Sequence, residues 1–190
     1  GSISSTSGTL ALTGSASGGT ATDISNSIAS GLSSGGAITL SAAKIAGSAP
    51  IASNGSTVTF DASGTGTYSG AISGTGAVVK TGSGTQTLSG TSTYTGTTTV
   101  NMGTLKAGST SAFGSNSALT LDNLSGVTLD LTGSSVTIGS LSGAGRVALD
   151  RVPAQFTEGS AATGRDYEVR AAPLDPPGRF VSKHRVAGQS

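Results

Sequence analysis

Apolar residues along the first 145 positions come in ones and twos, set among hydroxyl residues. Short alternating segments recur: "TVTF" at 57–60, "TQTL" at 85–88, "LTLD" at 119–122, "VTLDL" at 127–131 and "VTIG" at 136–139. β-Branched residues dominate them, and Gly, Ser or Asn punctuate their ends. That pattern predicts short strands, each with one face turned inward. The last three segments follow one another at about eight or nine residues, a spacing that suits a sandwich, a barrel or a solenoid.

Composition separates these architectures. The 190-residue chain is 34% hydrophobic and 4% aromatic, with only 10% charged residues. So little charge disfavours disorder of the highly charged kind. A sandwich core draws on large aromatics and long aliphatics from two facing sheets. Residues 1–145 offer only Phe60, Tyr68, Tyr94 and Phe113 as rings. Stacked parallel rungs need less, because each buries a few small side chains against its neighbours. The expectation is an all-β parallel solenoid over 57–145, with strands about 4.8 Å apart. Val78, Leu88, Val100, Leu105, Leu119, Leu121, Val127, Leu129, Val136, Ile138 and Leu141 should face inward.

The ends read differently. In "SASGGTATDISNSIASGLSSGG" the β periodicity is poor, and Ile24, Ile28 and Leu32 stand at helical spacing. Residues 1–56 are therefore expected to form irregular solenoid rungs, with a short helical turn as one option near Ile24. After Gly145 the composition switches. Residues 1–145 contain no Arg and 56 Ser or Thr, whereas 146–190 contain six Arg and five Ser or Thr. Four of the five prolines (Pro153, Pro173, Pro176 and Pro177) lie in that second part. It is expected to be a non-repetitive, poorly ordered Arg/Pro-rich tail, with Val152, Phe156, Val169, Phe180 and Val181 packing poorly. A frameshift in a truncated gene would explain the switch. A linker or a degenerate cap over the last rung is the rival.

Charge and chemistry narrow the function. A net charge of +1 gives no argument for nucleic acid or anionic membrane. No cysteine is present, so there is neither a disulfide framework nor a thiolate metal site. The start, "GSISSTSGTL", has no initiator Met, basic n-region or apolar core. An exported parent would thus be represented here by a fragment.

No catalytic, cofactor-binding or metal site is expected. "GTGAVV" at 74–79 lacks the third Gly and the following helix of a dinucleotide fingerprint, so its glycines read as solenoid corners. Lys80 and Lys106 read as solvated residues that limit edge pairing. Asp122 and Asp130 stand at similar points of neighbouring segments, where paired carboxylates could do acid–base work or bind Ca²⁺. Without a second acidic cluster they read as turn caps. Tyr68 and Tyr94 could stack on a glycan, but more simply each ring covers a turn. The Thr run at 97–99 invites comparison with ice-binding solenoids, yet only one rung shows such a run. His184, with Ser182 and Asp175, sits in the tail without a strand or helix to hold a triad. Asn54-Gly55-Ser56 and Asn123-Leu124-Ser125 match the glycosylation sequon by chance.

The stretch "VVKTGSGTQTLSGTSTYTGTTTVNMGTLKAG" at 78–108 resembles the passenger-associated transport repeat of bacterial autotransporters, the type V secretion family. The family steps fall on Lys80 to Thr85, Gln86 to Gly90, Ser92 to Gly96, and Thr98 to Leu105. The flanks over about 57–145 look similar. Gln86 stands where the pattern is more apolar, Ser92 where Asn is common, and Thr97 where a second Gly is common. The resemblance implies a right-handed parallel β-helix at the bacterial surface, joined in its parent to a C-terminal outer-membrane β-barrel. It implies a non-catalytic stalk that assists its own export. The alternative is an adhesin module that binds host glycans or matrix through the solenoid face. A polysaccharide-cleaving β-helix would need a groove of Asp, Arg or His, and 1–145 has neither Arg nor His. Repeated aromatics or a polar ladder on one outer face would favour the adhesin. A bare Ser/Thr/Gly face would favour the stalk.

Overall fold

The computed structural model describes residues 3–5, 9–13, 24–26, 31–149 and 155–156. Among them every regular element is a strand. In chain order these are β1 (Ile3–Ser5), β2 (Leu10–Thr13), β3 (Ile24–Asn26), β4 (Leu32–Ser34), β5 (Ile38–Ala42), β6 (Ile45–Gly47) and β7 (Ile51–Ala52). Then come β8 (Val58–Ala62), β9 (Thr65–Tyr68), β10 (Ile72–Ser73), β11 (Val78–Thr81), β12 (Thr85–Leu88), β13 (Thr98–Val100) and β14 (Thr104–Ala107). The series ends with β15 (Ala118–Leu121), β16 (Thr128–Asp130), β17 (Thr137–Ile138), β18 (Ser140–Gly143), β19 (Arg146–Ala148) and β20 (Gln155–Phe156).

Among the described residues every pairing is parallel, and neighbours in a sheet are one coil apart in sequence. One seven-stranded sheet runs β18-β15-β13-β11-β8-β5-β2, and a second runs β19-β16-β14-β12-β9-β6-β3. A four-stranded third face runs β1-β4-β7-β10. The chain visits the three faces in turn and returns on itself, which makes a parallel β-solenoid. Three-residue strands suffice because each rung borrows its hydrogen bonds and its core from the rungs above and below.

Register turns the sequence pattern into straight rows. In the first large sheet Ile38, Val58, Val78, Thr98, Leu119 and Leu141 stack inward. Two residues on, Leu12, Leu40, Phe60, Lys80, Val100 and Leu121 form a second row. In the other large sheet Gly66, Gln86, Leu105, Leu129 and Val147 stack above Ile45. Of the eleven residues expected inward, ten are buried and Leu141 is half-buried. Leu141 lies on β18, the terminal strand of its sheet, where a neighbouring strand covers one side only.

The first coil is longer than those that follow, 28 residues from Leu10 to Ile38 against 20 from Ile38 to Val58. Ile24–Asn26 is a strand paired with Ile45–Gly47, not a helical turn. β5 pairs in parallel with β8 over five residues. The pattern was hidden because the period is the coil, 20 residues from Val58 to Val78, rather than the strand spacing. At the other end, Arg146–Ala148 pairs with Thr128–Asp130 and Gln155–Phe156 with Thr137–Ile138. Pro153, Val152, Val169, Phe180 and Val181 lie outside the described residues, as do Asp175, Ser182 and His184.

Candidate functional site

Among the described residues, Lys80, Gln86, Ser92 and Thr98 are polar groups buried within the rungs built from β11 to β14. Lys80 was expected in solvent. Instead it is fully buried, at 0% exposure, because the alternation of β11 turns positions 78 and 80 to the same inner face. Its ammonium donates to the carbonyl oxygens of Gly82 (2.7 Å), Ala62 (3.4 Å) and Met102 (3.4 Å), and to that of Thr81. These oxygens come from three successive coils. The three-residue turns at 82–84 and 101–103 shape the cage, with Gly82 and Gly103 at φ 72° and 70°. An L side chain is strained in that region. Burial pushes the Lys80 ammonium down to about 8, against the pull of the Asp61 carboxylate. Outside, Asp61 accepts hydrogen bonds from Ser41 (2.7 Å) and Thr81 (3.2 Å) on the two flanking strands.

Gln86 is fully buried as well. Its Nε2 donates to Thr87 O (3.1 Å) and to Ile45 O (3.2 Å), two coils away. Gly66 stands between them in the stack and brings no side chain. A Cβ at Gly66 would lie 2.3 Å from that same Ile45 oxygen. Gln86 Oε1 is buried without a hydrogen-bond partner.

The tyrosines are likewise internal. Tyr68 and Tyr94 are both at 0% exposure, so neither can stack on a ligand outside. Tyr68 donates to Ala49 O (2.6 Å) and meets Phe60 edge-on, with centroids 5.5 Å apart. A Cβ on Gly70 would lie 2.7 Å from the Tyr68 ring, so the ring covers that turn from within. Tyr94 Oη shares a 2.6 Å hydrogen bond with Thr98 Oγ1, which continues to Ser117 Oγ (2.9 Å) and on to Gly96 O (2.8 Å). Burial pushes the Tyr94 phenol up to about 12, against the hydrogen bonds of Thr98 and Ser117.

On the outer surface Asp122 and Asp130 are not brought together. Asp122 follows β15 and accepts from Asn123 N (2.7 Å), while Asp130 lies in the other large sheet. Lys106, expected as a free solvated charge, bonds Asp130 Oδ2 and Thr132 Oγ1, both at 2.8 Å, one rung away. Burial works against the charge on Asp130, but hydrogen bonds from Lys106 and Thr132 overcome it and hold the carboxyl below its ordinary value. Asn54 sits at φ 43° in a turn and donates to Ser33 Oγ (2.9 Å). Among the described residues no group of three or more His, Cys, Asp or Glu could hold a metal ion.

The sequence reading missed the outer rows of hydroxyls. Thr39, Thr59, Val79, Thr99, Thr120 and Ser142 stand in register on one sheet. Thr65, Thr85, Thr104 and Thr128 do so on the other. The run at 97–99 is thus one step of a ladder whose other steps lie a full coil away.

A family model described as passenger-associated-transport-repeat matches residues 78–107. The match opens on the first residue of β11 and closes on the last of β14. It contains Lys80, Gln86, Tyr94 and Thr98. No curated protein and no solved structure matches the chain.

Proposed function

We propose that this chain is part of an autotransporter passenger, a non-catalytic β-solenoid stalk at the bacterial surface that assists its own export across the outer membrane. The observation that carries this reading is the transport repeat at 78–107, seated within uninterrupted parallel sheets. Each rung docks on the last with nearest-neighbour energetics, so folding outside the cell can bias passage where no ATP is present. In the parent, a C-terminal barrel would supply the pore. The test places this segment between a signal sequence and such a barrel, and replaces 78–107 by Gly/Ser of equal length. Protease shaving of intact cells should then show less passenger at the surface. Wild-type delivery would overturn the reading. Purified protein on polysaccharide, peptide and ester panels should stay at background, and turnover abolished by Asp122→Asn or Asp130→Asn would defeat the non-catalytic part.

The adhesin reading draws on the outer hydroxyl rows, which repeat on one side over several rungs. They carry no aromatic ring, since Phe60, Tyr68, Tyr94 and Phe113 are all inside. Binding to a host glycan or matrix array that is lost on Thr59→Val with Thr99→Val would favour it over the stalk.

A further inference from the structure

Inward rows of Ile, Leu and Val carry little information about which rung belongs on which. Their side chains are alike in size, so a slip past one coil is opposed by the loop of about 20 residues it leaves, whose closure costs a few kcal/mol, and by that coil's own lost packing, but not by a mismatch of shape. Two residues of the repeat break that degeneracy. In the row Ile45, Gly66, Gln86, Leu105, Leu129 and Val147, Gly66 alone lacks a side chain. Gln86, next above it, sends its amide past Gly66 to Ile45 O. Seated on any other rung, Gln86 would meet a branched side chain where it now meets glycine. Lys80 works in the opposite direction. Its ammonium reaches up to the Met102 carbonyl, 3.4 Å away in the turn at 101–103, and this is its one contact with the coil above. The next turn in that corner, between β15 and β16, is twice as long and holds Gly126 at φ 88°.

We propose that Gln86 and Lys80 are register keys: Gln86 seats β11–β12 on β8–β9, and Lys80 admits only β13–β14 on top. The unpartnered Oε1 of Gln86 supports this. An apolar residue there would avoid a buried, unpaired acceptor. A polar group kept at such a cost fits a role in uniqueness rather than stability, as single buried polar residues do in setting coiled-coil register. The inference does not depend on the export reading.

The chain has no cysteine, so introduced pairs report register directly. Strands in neighbouring rungs lie about 4.8 Å apart, within disulfide reach, whereas rungs with another coil between them are roughly 10 Å apart and beyond it. Thr67→Cys with Thr87→Cys reports native seating. Ala46→Cys with Thr87→Cys reports a downward slip, and Thr85→Cys with Thr128→Cys an upward one. Each pair is refolded from denaturant under mild oxidation. In the wild-type background only the native pair should cross-link. Gln86→Leu should raise the downward-slip product severalfold, and Lys80→Met the upward one, while the melting temperature of the correctly seated fraction holds or rises. Slip products at wild-type level in both variants would overturn the proposal. Failure of both variants to fold would overturn it equally, because the polar groups would then be sources of stability rather than of register.

Discussion

The rungs built from β5 to β9 and those built from β11 to β14 share one backbone plan and differ in what they bury. Inside the first, Ile38, Leu40, Ala42, Ile45, Val58, Phe60 and Ala62 are apolar, and the phenol of Tyr68 is bonded to Ala49 O. Inside the second, Lys80, Gln86 and Thr98 take places in the same rows. The parallel ladder is indifferent to this exchange because its hydrogen bonds are backbone bonds and its corners are set by turns. What changes is the source of cohesion. The lower rungs gain from apolar burial. The upper rungs spend part of that gain on polar contacts that reach specific neighbours.

The largest effect should come from the apolar side of this contrast. Phe60→Ala removes a fully buried ring packed edge-on against Tyr68, and should cost about 3–5 kcal/mol in denaturant unfolding. Lys80→Met sits one rung above in the same row and should be neutral or stabilising, because a buried ammonium gives way to an apolar chain of similar length. Equal losses from the two substitutions would break the comparison.

Alkaline pH sharpens it next. Lys80 titrates near 8 in the fold against an ordinary 10.5. Between those values the unfolded chain holds the proton that the fold has shed, so stability rises with pH across that window. Tyr94 is raised from 10.0 to about 12. Its contribution is complete below pH 10 and is lost as pH climbs toward 12. The melting temperature should therefore peak near pH 10. The rise should be about 2 kcal/mol, one proton shed across that window less the first loss at Tyr94. Lys80→Met should flatten the ascending limb, and Tyr94→Phe should weaken the descending one. A profile that stays flat between pH 8 and 10 would place Lys80 in contact with solvent.

The inner rows show what the sequence could and could not disclose. Val78, Leu88, Val100, Leu105 and Leu129 were legible because alternation alone assigns their face. Lys80 was not, because its charge argued for the surface. The signal against that was positional: Lys80 lies one coil from both Phe60 and Val100, which puts it in their row. Gln86 was visible as a departure from an apolar pattern. Its meaning required Gly66, one coil earlier, to be recognised as the slot beside it. Thr99 belonged to a ladder for the same reason. Local alternation gives the face of a residue, whereas the coil length gives its neighbours, and only the neighbours explain a buried charge. Among the early rungs, the same coil period linking Ile38 to Val58 outweighs weak local propensity.

On the outer face the contrast should nearly vanish. Lys106 and Asp130 pair across rungs at 2.8 Å, with side-chain exposures of 34% and 20%. Asp130→Asn should cost about 0.5–1 kcal/mol at neutral pH. The Asp130 carboxyl is held below its ordinary 3.8. Its contribution is present above that value and should disappear as pH falls through the lower folded one. Wild type and Asp130→Asn should therefore converge in melting temperature as acid is added below about pH 4. A gap that persists there would assign the loss to packing instead of charge.

The smallest effect should come from the end of the chain. The solenoid rows run to β19, a few residues past the point where Ser and Thr give way to Arg and Pro. Beyond Leu149 the described contact is the two-residue pairing of β20 with β17. Our proposal is that the later residues are foreign to the repeat, read from another frame or joined as a linker. On that basis, deleting residues after 150 removes little that the rungs rely on. The unfolding free energy should change by less than about 0.5 kcal/mol. Amide exchange in β15, β16 and β18 should keep its protection. A loss of several kcal/mol, with exchange spreading down from β18 and β19, would identify the segment as a cap that shields the last rung. The DNA beyond the Gly145 codon separates the two origins. A Ser/Thr/Gly-rich continuation in another frame would support the frameshift, and its absence from both other frames would leave the linker.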